Sequence, residues 1–405
     1  MLRTAAQHLT AKTTLTIVLV LTGCGGAGTA TPDAGLTDAA TAIADPTMWL
    51  ATGDLLHARA HATATRLGNG KVLIAGGDDD HYAQLASCEL YDPASGTFVE
   101  AAPLPSPRAF HTASLLADGR VLIVGGGPGS QIALPNGQAP TASALLYDPA
   151  QDRWTPTGDL HAARAGHQAA VLGDNRVLIT GGGSGVGPAC AASYPNCTIA
   201  VSVSSSEIYD PAAGMFSTTG DLTQPRIAFT LVSLPSGKLL AAGGAADNQS
   251  LSTAETYDTS TGKWAGTGAM SAKRFYQAAT LLGDGHVLVV GGKLANVAPL
   301  KENERYDEGA GAWQPVPSLP APRTGGVALT LPSGHGVVIA GFDQIGSAFL
   351  DDAQVYDAAA EAWTATSPLA NGRYGHTATL LADGSILVAG GLGATGLLSS
   401  AERSR

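Results

Sequence analysis

Charged residues are scarce in this sequence. Only 14% of its 405 residues are Asp, Glu, Lys or Arg, the residues that long amphipathic helices need on their solvent-facing sides. Glycine is abundant instead, with 52 residues, and a chain rich in Gly, Val, Thr and Ser favours short strands joined by turns. The net charge of −11 at pH 7 argues against a nucleic-acid partner, because that affinity is built from clustered Lys and Arg. The sequence therefore predicts an all-β protein.

Long apolar runs are missing as well, since no segment approaches the roughly 18 residues that span a bilayer. A short run from Leu15 to Leu21, preceded by basic residues, is typical of a secretory signal. It ends in Leu21-Thr22-Gly23-Cys24, which resembles the lipobox of bacterial lipoproteins. The resemblance implies a signal peptide over residues 1–23, acylation of Cys24, and an exported protein held by lipid at the outer membrane or cell surface. A plain signal peptide with a chance cysteine is the alternative.

Residues 24–45 contain almost no large apolar side chains and are predicted to be a disordered tether. The remainder, residues 46–405, repeats with a period of about 50 residues. Each copy contains a strand that resembles Lys71-Val-Leu-Ile-Ala-Gly-Gly77, and seven such strands are present. An arginine precedes each strand, and a Tyr-Asp pair and an aromatic residue follow in most copies. The seven arginines are Arg59, Arg108, Arg164, Arg226, Arg274, Arg323 and Arg373.

The paired glycines, the Tyr-Asp pair and the spaced aromatic residue resemble kelch repeats. The resemblance implies a seven-bladed kelch-type β-propeller, with one four-stranded blade per repeat. Copy seven ends before its last strand, but Trp49 lies 49 residues before Phe98, in register with the aromatic column. We therefore expect the segment around Trp49 to supply the outer strand of blade seven and to close the ring, since an open ring would expose strand edges.

Two faces follow from the alternating strand directions. The hairpin face carries the short turns between strands one and two and between strands three and four. The loop face carries the two-three and four-one connections. The two-three loops are longest in blades two and three, at residues 127–146 and 183–208, and binding loops are usually displayed from a rigid scaffold in this way.

Most candidate site residues lie on the loop face. The arginines are interpreted as structural ion pairs with the glutamates two residues before the Tyr position. Blades two and six have Leu145 and Gln354 there, so Arg108 and Arg323 are predicted to be unpaired and able to hold a carboxylate or sugar. The candidate ligand contacts are Arg108, Arg323, Arg59, Arg164, Arg373, His111, His167, His376, Asp78, Asp79, Asp80 and His81.

Several of these candidates also have a purely structural interpretation. The histidines are favoured as hydrogen-bonded repeat residues over a metal cluster. Asp78-Asp79-Asp80-His81 is favoured as a solvated acidic turn over a cation site. No metal or cofactor is predicted. Cys190 and Cys197 are expected to form a disulfide in the blade-three loop, and Cys88 is expected to be a buried thiol.

The predicted function is a non-catalytic, surface-anchored module that binds a protein or glycan, with a monomeric chain that meets the membrane only through its lipid. The kelch resemblance leaves an alternative open, since the family includes galactose oxidase and sialic acid mutarotases. That alternative is a carbohydrate-active enzyme with a site at the channel mouth. The oxidase's copper site, with two tyrosines, two histidines and a tyrosine-linked cysteine, has no recognisable motif in this sequence.

Overall fold

The computed structural model describes residues 45–127, 139–184, 201–246, 249–294 and 298–405. These residues form strands and turns with no helix. Accordingly, the described chain has no helix that is long and apolar enough to cross a membrane. The predicted signal peptide and nearly all of the tether lie outside the described residues.

The strands form seven four-stranded antiparallel sheets, which are the predicted blades. The first strands of blades one to seven are β2 (Thr63–Arg66), β6 (Thr112–Leu115), β10 (Gln168–Val171), β16 (Thr230–Ser233), β22 (Ala278–Leu281), β26 (Val327–Thr330) and β30 (Thr377–Leu380). The second strands are β3 (Val72–Ala75), β7 (Val121–Val124), β11 (Val177–Thr180), β17 (Leu239–Ala242), β23 (Val287–Val290), β27 (Gly336–Asp343) and β31 (Ile386–Ala389).

The outer halves of the blades follow the same order. The third strands are β4 (Cys88–Asp92), β8 (Ala144–Asp148), β14 (Ser206–Asp210), β20 (Ala254–Asp258), β24 (Asn303–Asp307), β28 (Ala348–Asp357) and β34 (Ala401–Ser404). The fourth strands are β5 (Thr97–Ala101), β9 (Arg153–Pro156), β15 (Met215–Thr218), β21 (Lys263–Thr267), β25 (Ala312–Val316), β29 (Ala362–Ala365) and, from the N-terminal segment, β1 (Trp49–Ala51).

The ring is closed as predicted. Each first strand contacts the first strands of both neighbouring blades, including β30 with β2, so these strands surround the axis. The N-terminal strand β1 pairs with β34, with Trp49 opposite Ser404. The Trp49 indole also donates a hydrogen bond to Thr366 Oγ1 at 3.0 Å. The first and last strands of the propeller therefore share blade seven, and closure depends on the Trp49 segment.

The core lies between the blades. The second strands are almost fully buried because neighbouring blades cover both of their sides. Each ends at a residue pair with left-handed backbone, and Gly76 and Gly77 have φ of 63° and 99°. A Cβ on Gly76 would lie 2.4 Å from the carbonyl oxygen of Arg108 in the next blade. Glycine is required here because two blades meet closely at this point.

Two sequence-based boundaries need correction. The third strands of most blades begin three residues before the tyrosine, so the loops are shorter than the predicted ranges. In blade six, Ala340 with φ of 53° takes the place of the first glycine of the pair. This is one residue earlier than the repeat pattern of the sequence predicts. The spacing from the repeat arginine gives the same placement, because Arg323 Nη1 donates to Ala340 O as Arg59 Nη1 donates to Gly76 O.

Short two-stranded sheets extend some two-three loops. They are β12 (Gly183–Ser184) with β13 (Val201–Ser202), β18 (Ala245–Ala246) with β19 (Gln249–Ser250), and β32 (Leu392–Gly393) with β33 (Gly396–Leu397). In blade six the long strands β27 and β28 themselves continue beyond the sheet as a hairpin. Its tip carries Ile345, which is 68% exposed.

Tyrosine hydroxyls join neighbouring blades. In four places the hydroxyl bonds a threonine at the end of the preceding fourth strand, in the pairs Thr52–Tyr91, Thr157–Tyr209, Thr219–Tyr257 and Thr267–Tyr306, at 2.7–2.8 Å. Val316 occupies the threonine position before blade six. The Tyr356 hydroxyl there is buried and has no partner in the described structure.

Candidate functional site

The repeat arginines lie beneath the loop face, each 0–1% exposed. Five of them pair with the predicted glutamates, as Arg59–Glu89, Arg164–Glu207, Arg226–Glu255, Arg274–Glu304 and Arg373–Glu402. Nη1 of every repeat arginine also donates to a backbone carbonyl at the end of the second strand. The structural interpretation is thus confirmed, and burial leaves Arg59, Arg164 and Arg373 without an exposed donor for a ligand.

The prediction that Arg108 and Arg323 have no carboxylate partner is confirmed for Arg108 and wrong for Arg323. Arg323 Nη2 donates to Asp352 Oδ2 at 2.7 Å, so it is paired. Arg108 has no carboxylate partner in the described structure. Its Nη2 donates instead to the hydroxyls of Ser106 and Ser143, both at 2.9 Å, and burial lowers its pKa to about 10. Both guanidinium groups are buried, so neither offers an exposed donor to a ligand.

A compensating change accompanies each missing glutamate. In five blades the glutamate also accepts a backbone N–H from the preceding four-one connection, donated by Leu56, His161, Thr223, Ser271 and Ala370. The corresponding residues in blades two and six are Pro105 and Pro320, and proline has no N–H. Each blade that lacks the glutamate acceptor thus also lacks the backbone N–H donor. The sequence shows this correlation, but the sequence analysis did not use it.

The histidines His111, His167 and His376 are buried between blades. His111 Nε2 is hydrogen-bonded to Thr63 Oγ1, and His167 Nε2 to Thr112 Oγ1, both at 2.9 Å. His376 has no partner for either ring nitrogen in the described structure, because blade six has Val327 at the threonine position. Burial, followed by the nearby arginine charge, lowers the pKa of His111 and of His376 to about 3. These rings are neutral packing residues.

The acidic segment of blade one divides into two parts. Asp78 is buried, and its Oδ1 accepts a hydrogen bond from His61 Nδ1 at 2.7 Å. It therefore does not belong to a solvated turn. Asp79 Oδ1 accepts backbone N–H groups from His81 and Ala83, as in an acidic turn. Among the described residues, only Asp79, Asp80 and His81 bring three possible metal-ligand atoms within 4.8 Å of one another.

Near the axis on the loop face, aromatic side chains that the sequence analysis missed pack into one mostly buried cluster. We call this cluster the aromatic mouth: Phe110, Phe275, Tyr276 and Tyr374, with the partly buried Phe342 and Phe349. His61 stacks on Phe110 with ring centroids 4.8 Å apart and meets Tyr374 edge-on at 6.2 Å. Four of the six occupy the first or second position after a repeat arginine, which is the signal that could have identified them.

The second residue after each repeat arginine has a left-handed backbone. These residues are His61, Phe110, Gly166, Ala228, Tyr276, Gly325 and Gly375, with φ between 55° and 65°. Four are not glycine, and such backbone outliers often mark functional sites. His61 N donates to Gly375 O at 2.9 Å and Gly325 N to Tyr276 O at 3.0 Å. Backbone hydrogen bonds therefore connect residues of this column from neighbouring blades.

Charge at the mouth is sparse. Lys293 follows the glycine pair of blade five and is 5% exposed. Its Nζ lies 5.3 Å from the ring centroid of Phe275 and 5.8 Å from that of Tyr276. Burial lowers its pKa to about 8. The mouth thus combines aromatic faces, one desolvated amine and the His61–Asp78 pair.

One of the cysteine predictions is confirmed and the others are not tested. Cys88 is a buried free thiol as expected, and burial raises its pKa to about 11. Cys24, Cys190 and Cys197 lie outside the described residues, so the lipidation and disulfide assignments stay predictions.

The N-terminal segment joins the propeller on the hairpin face. Asp45 accepts hydrogen bonds from Ser333 Oγ at 2.6 Å and His335 Nδ1 at 2.5 Å, both in the one-two hairpin of blade six. Pro46 lines a crevice of about 440 Å³ beside the corresponding turn of blade seven, Asp383–Ser385. Residue 46 and the aromatic mouth therefore lie on opposite faces of the ring.

No protein-family model matches the chain. Alpha-scruin of Limulus polyphemus is 28% identical over 196 residues, which is 48% of this chain and 20% of scruin, so the match spans a fifth of that relative. A fungal alcohol oxidase of the AA5 family, solved in complex with copper, has a TM-score of 0.69 and 19% identity over 89% of this chain and 76% of the oxidase. The structure of YjhT has a TM-score of 0.59 and 15% identity over 78% of this chain and 99% of YjhT. Likenesses at this identity establish the fold alone, and the fold is a seven-bladed β-propeller of the kelch type.

Proposed function

We propose that this propeller is a non-catalytic binding module that captures a protein or glycan partner with its loop face. The observation that supports the proposal is the aromatic mouth, where Phe342 and Phe349 are partly exposed beside the projecting tip at Ile345. Aromatic side chains are enriched in binding surfaces because they provide a large contact area at a small cost in conformational entropy. The sequence also predicts that the longest two-three loops belong to the same face.

The test is a binding screen with fragment 45–405, which contains all seven blades and the closing strand. The fragment is presented to a glycan library and to extracellular proteins. Phe349→Ala removes an aromatic ring that packs 5.0 Å from Phe342 at the mouth, and we expect it to weaken binding about tenfold or more. Val99→Ala, at a half-exposed site on the outer strand β5, is the matched control and should bind like wild type. Equal affinity of both variants would contradict the proposal.

We further propose that Cys24 is acylated and anchors the protein at the outer membrane or cell surface. The lipobox-like residues Leu21 to Cys24 support this, and the position of Asp45 on the hairpin face would direct the loop face away from the lipid. Metabolic labelling with a radioactive fatty acid should mark wild type and not Cys24→Ala. Equal labelling of both proteins would refute the anchor.

The second candidate is a carbohydrate-active enzyme, supported by the buried His61–Asp78 pair at the mouth. The copper chemistry of the kelch oxidases does not fit this donor set. Cys88 Sγ contacts the Ala86 carbonyl at 3.7 Å inside blade one, and the three-donor cluster of the described residues is the exposed Asp79-Asp80-His81 turn. A mutarotase-like reaction needs only a positioned acid and base.

The enzyme candidate is tested by following anomer exchange of aldoses by NMR. If it is correct, wild type accelerates exchange and His61→Phe/Asp78→Gly does not; blade two has Phe110 and Gly127 at the same positions, so the variant should fold. Exchange no faster than in buffer for every sugar would eliminate the mutarotase-like alternative.

A further inference from the structure

Blade six carries a long hairpin on the loop face. Its strands β27 and β28 continue past the four-stranded sheet, where Phe342 pairs with Phe349 and Asp343 pairs with Ala348. Among the described residues of the other blades, the two-three loops contain paired strands of two residues at most. We call residues 341–350 the flap. Its two phenylalanines belong to the aromatic mouth, so the flap covers part of that cluster.

The flap joins the sheet at an irregular point. The pairing register shifts between Ile339 and Gly341, where the single residue Ala340 stands opposite Asp351 and Asp352. Ala340 and Gly341 have φ of 53° and 117°. Such a bulge interrupts the ladder of hydrogen bonds and bends the strand. The flap can therefore pivot at its base without breaking the pairing inside the blade or inside the flap.

The hydrogen bonds that hold the flap to the ring are confined to its base. Phe342 exchanges two backbone hydrogen bonds with Thr324, and the Arg373 backbone bonds the first and last residues of the flap. In the described structure, no hydrogen bond joins residues 343–349 to any residue outside the flap. The tip is solvent-exposed, with Ile345 68% exposed. Segments with few such bonds open at a lower free energy than the core of a fold.

The closed flap also leaves polar atoms unsatisfied. Thr324 Oγ1 and Asp352 Oδ1 lie at its base, are buried, and have no hydrogen-bond partner in the described structure. Buried polar groups are normally hydrogen-bonded, because an unsatisfied one is unfavourable. Opening the flap would admit water to both atoms. This gain offsets part of the aromatic packing that opening would lose.

We propose that the flap opens about the bulge at Ala340 and Gly341 and exposes the aromatic mouth to the partner. The inference rests on the proposed binding function and adds how the site becomes accessible. In the closed form, Tyr374 is 8% exposed and the Phe342 ring meets it edge-on, with centroids 6.3 Å apart. In the open form these rings become contact surface, and a partner that binds this form shifts the population toward it.

Amide-resolved hydrogen–deuterium exchange of fragment 45–405 without a partner tests the flap. The probe is the Phe342 N–H, which donates to Thr324 O at 2.9 Å. The internal control is the Lys293 N–H, which donates to Phe275 O at the same position of blade five, also at 2.9 Å. After correction for intrinsic rates, we expect Phe342 to exchange about tenfold faster than Lys293 or more. A rate equal to or below that of Lys293 would overturn the proposal.

A substitution at Gly372 provides a second test. A Cβ on Gly372 would overlap the carbonyl oxygen of Phe349, so Gly372→Ala must displace the flap. Gly173→Ala is the matched control, because a Cβ there meets nothing within 4 Å. Gly372→Ala should accelerate exchange at Phe342 further, while the amides of residues 337–339 in the same strand keep their wild-type rates. Gly173→Ala should change neither. An unchanged Phe342 rate in Gly372→Ala would overturn the proposal.

The flap and the binding function can fail separately. If Phe342 exchanges no faster than Lys293 while Phe349→Ala still weakens partner binding, the flap proposal fails and the binding function stands. If Phe342 exchanges faster as expected but Phe349→Ala binds every partner like wild type, the binding function fails and the flap stands.

Discussion

The glutamate of blade one offers a direct test of how the repeat arginines are held. Glu89 accepts three hydrogen bonds, from Arg59 Nη2 at 2.6 Å and from the backbone N–H groups of Leu56 at 2.7 Å and His57 at 3.0 Å. Glu89→Leu removes both carboxylate oxygens that accept these three bonds and leaves the Arg59 charge buried. Breaking a buried ion pair on one side costs about 3–5 kcal/mol, and we expect a loss of that size in the free energy of unfolding.

Blade two shows how the loss can be repaired. There the acid is replaced by Leu145, the N–H donor by Pro105, and the acceptor for the guanidinium by the Ser106 hydroxyl. Adding Leu56→Pro and His57→Ser to Glu89→Leu transfers this arrangement to blade one. Leu56 is 52% exposed, so little packing is lost. A hydrogen bond to a charged group contributes about 1.5–3 kcal/mol, and the triple variant should recover roughly 2 kcal/mol.

The assay is guanidinium-induced unfolding of fragment 45–405, comparing wild type, Glu89→Leu and the triple variant. The double variant Leu56→Pro/His57→Ser is the control, because with Glu89 present it removes donors without removing the acceptor. The reasoning is refuted if Glu89→Leu lies within about 1 kcal/mol of wild type. It is also refuted if the triple variant is no more stable than the single one.

Three further variants test closure, acid sensitivity and blade joining in the same unfolding assay. Trp49→Ala should cost about 3–5 kcal/mol, because a nearly buried indole leaves the closing strand. Wild type should lose stability as the pH falls from 5.5 to 4. Over this range His376→Phe should lose about 1.4 kcal/mol less per pH unit than wild type. His376 titrates near 3 in the fold, so the unfolded chain binds the extra proton and stability falls as pH falls. Val316→Thr should add about 1 kcal/mol by giving the Tyr356 hydroxyl a partner.

Each of the three has its own control and its own contradicting result. For closure, Leu50→Ala changes the neighbouring, half-buried residue of β1 and should cost less than Trp49→Ala; an equal cost would contradict the role of the indole. An unchanged pH slope in His376→Phe would contradict the buried neutral histidine. Ala101→Thr is the control for blade joining, because Tyr147 already donates to Asp152 at 2.8 Å, and an equal gain there would contradict the account of Tyr356.

The fold was predictable from the sequence because its determinants repeat. The glycine pairs, the arginines and the aromatic column recur in register, and the offset of Trp49 from Phe98 was enough to place the closing strand. The one-residue error in blade six arose because Ala340 adopts a backbone that the other blades reserve for glycine. The spacing of 17 residues from the repeat arginine to this position, as from Arg59 to Gly76 and from Arg323 to Ala340, was the signal that could have corrected the error.

The candidate site was less predictable because its side chains do not repeat from blade to blade. The arginines were candidates because they recur in every blade. Most of them recur because they form a structural ion pair. The aromatic mouth gathers Phe110, Tyr276 and Tyr374 from blades two, five and seven, and only the closed ring brings them together. The pairing of Arg323 with Asp352 depends on a side chain reaching from two residues before the expected position.

The most direct test of the central claim is hydrogen–deuterium exchange of fragment 45–405 with and without the captured partner. Binding through the loop face predicts slower exchange in the blade-six hairpin at residues 341–350, around Tyr374 and in the acidic turn at residues 78–84. These segments surround the aromatic mouth. Protection confined to the opposite, hairpin-face turns, such as residues 93–96 and 383–385, would contradict the account.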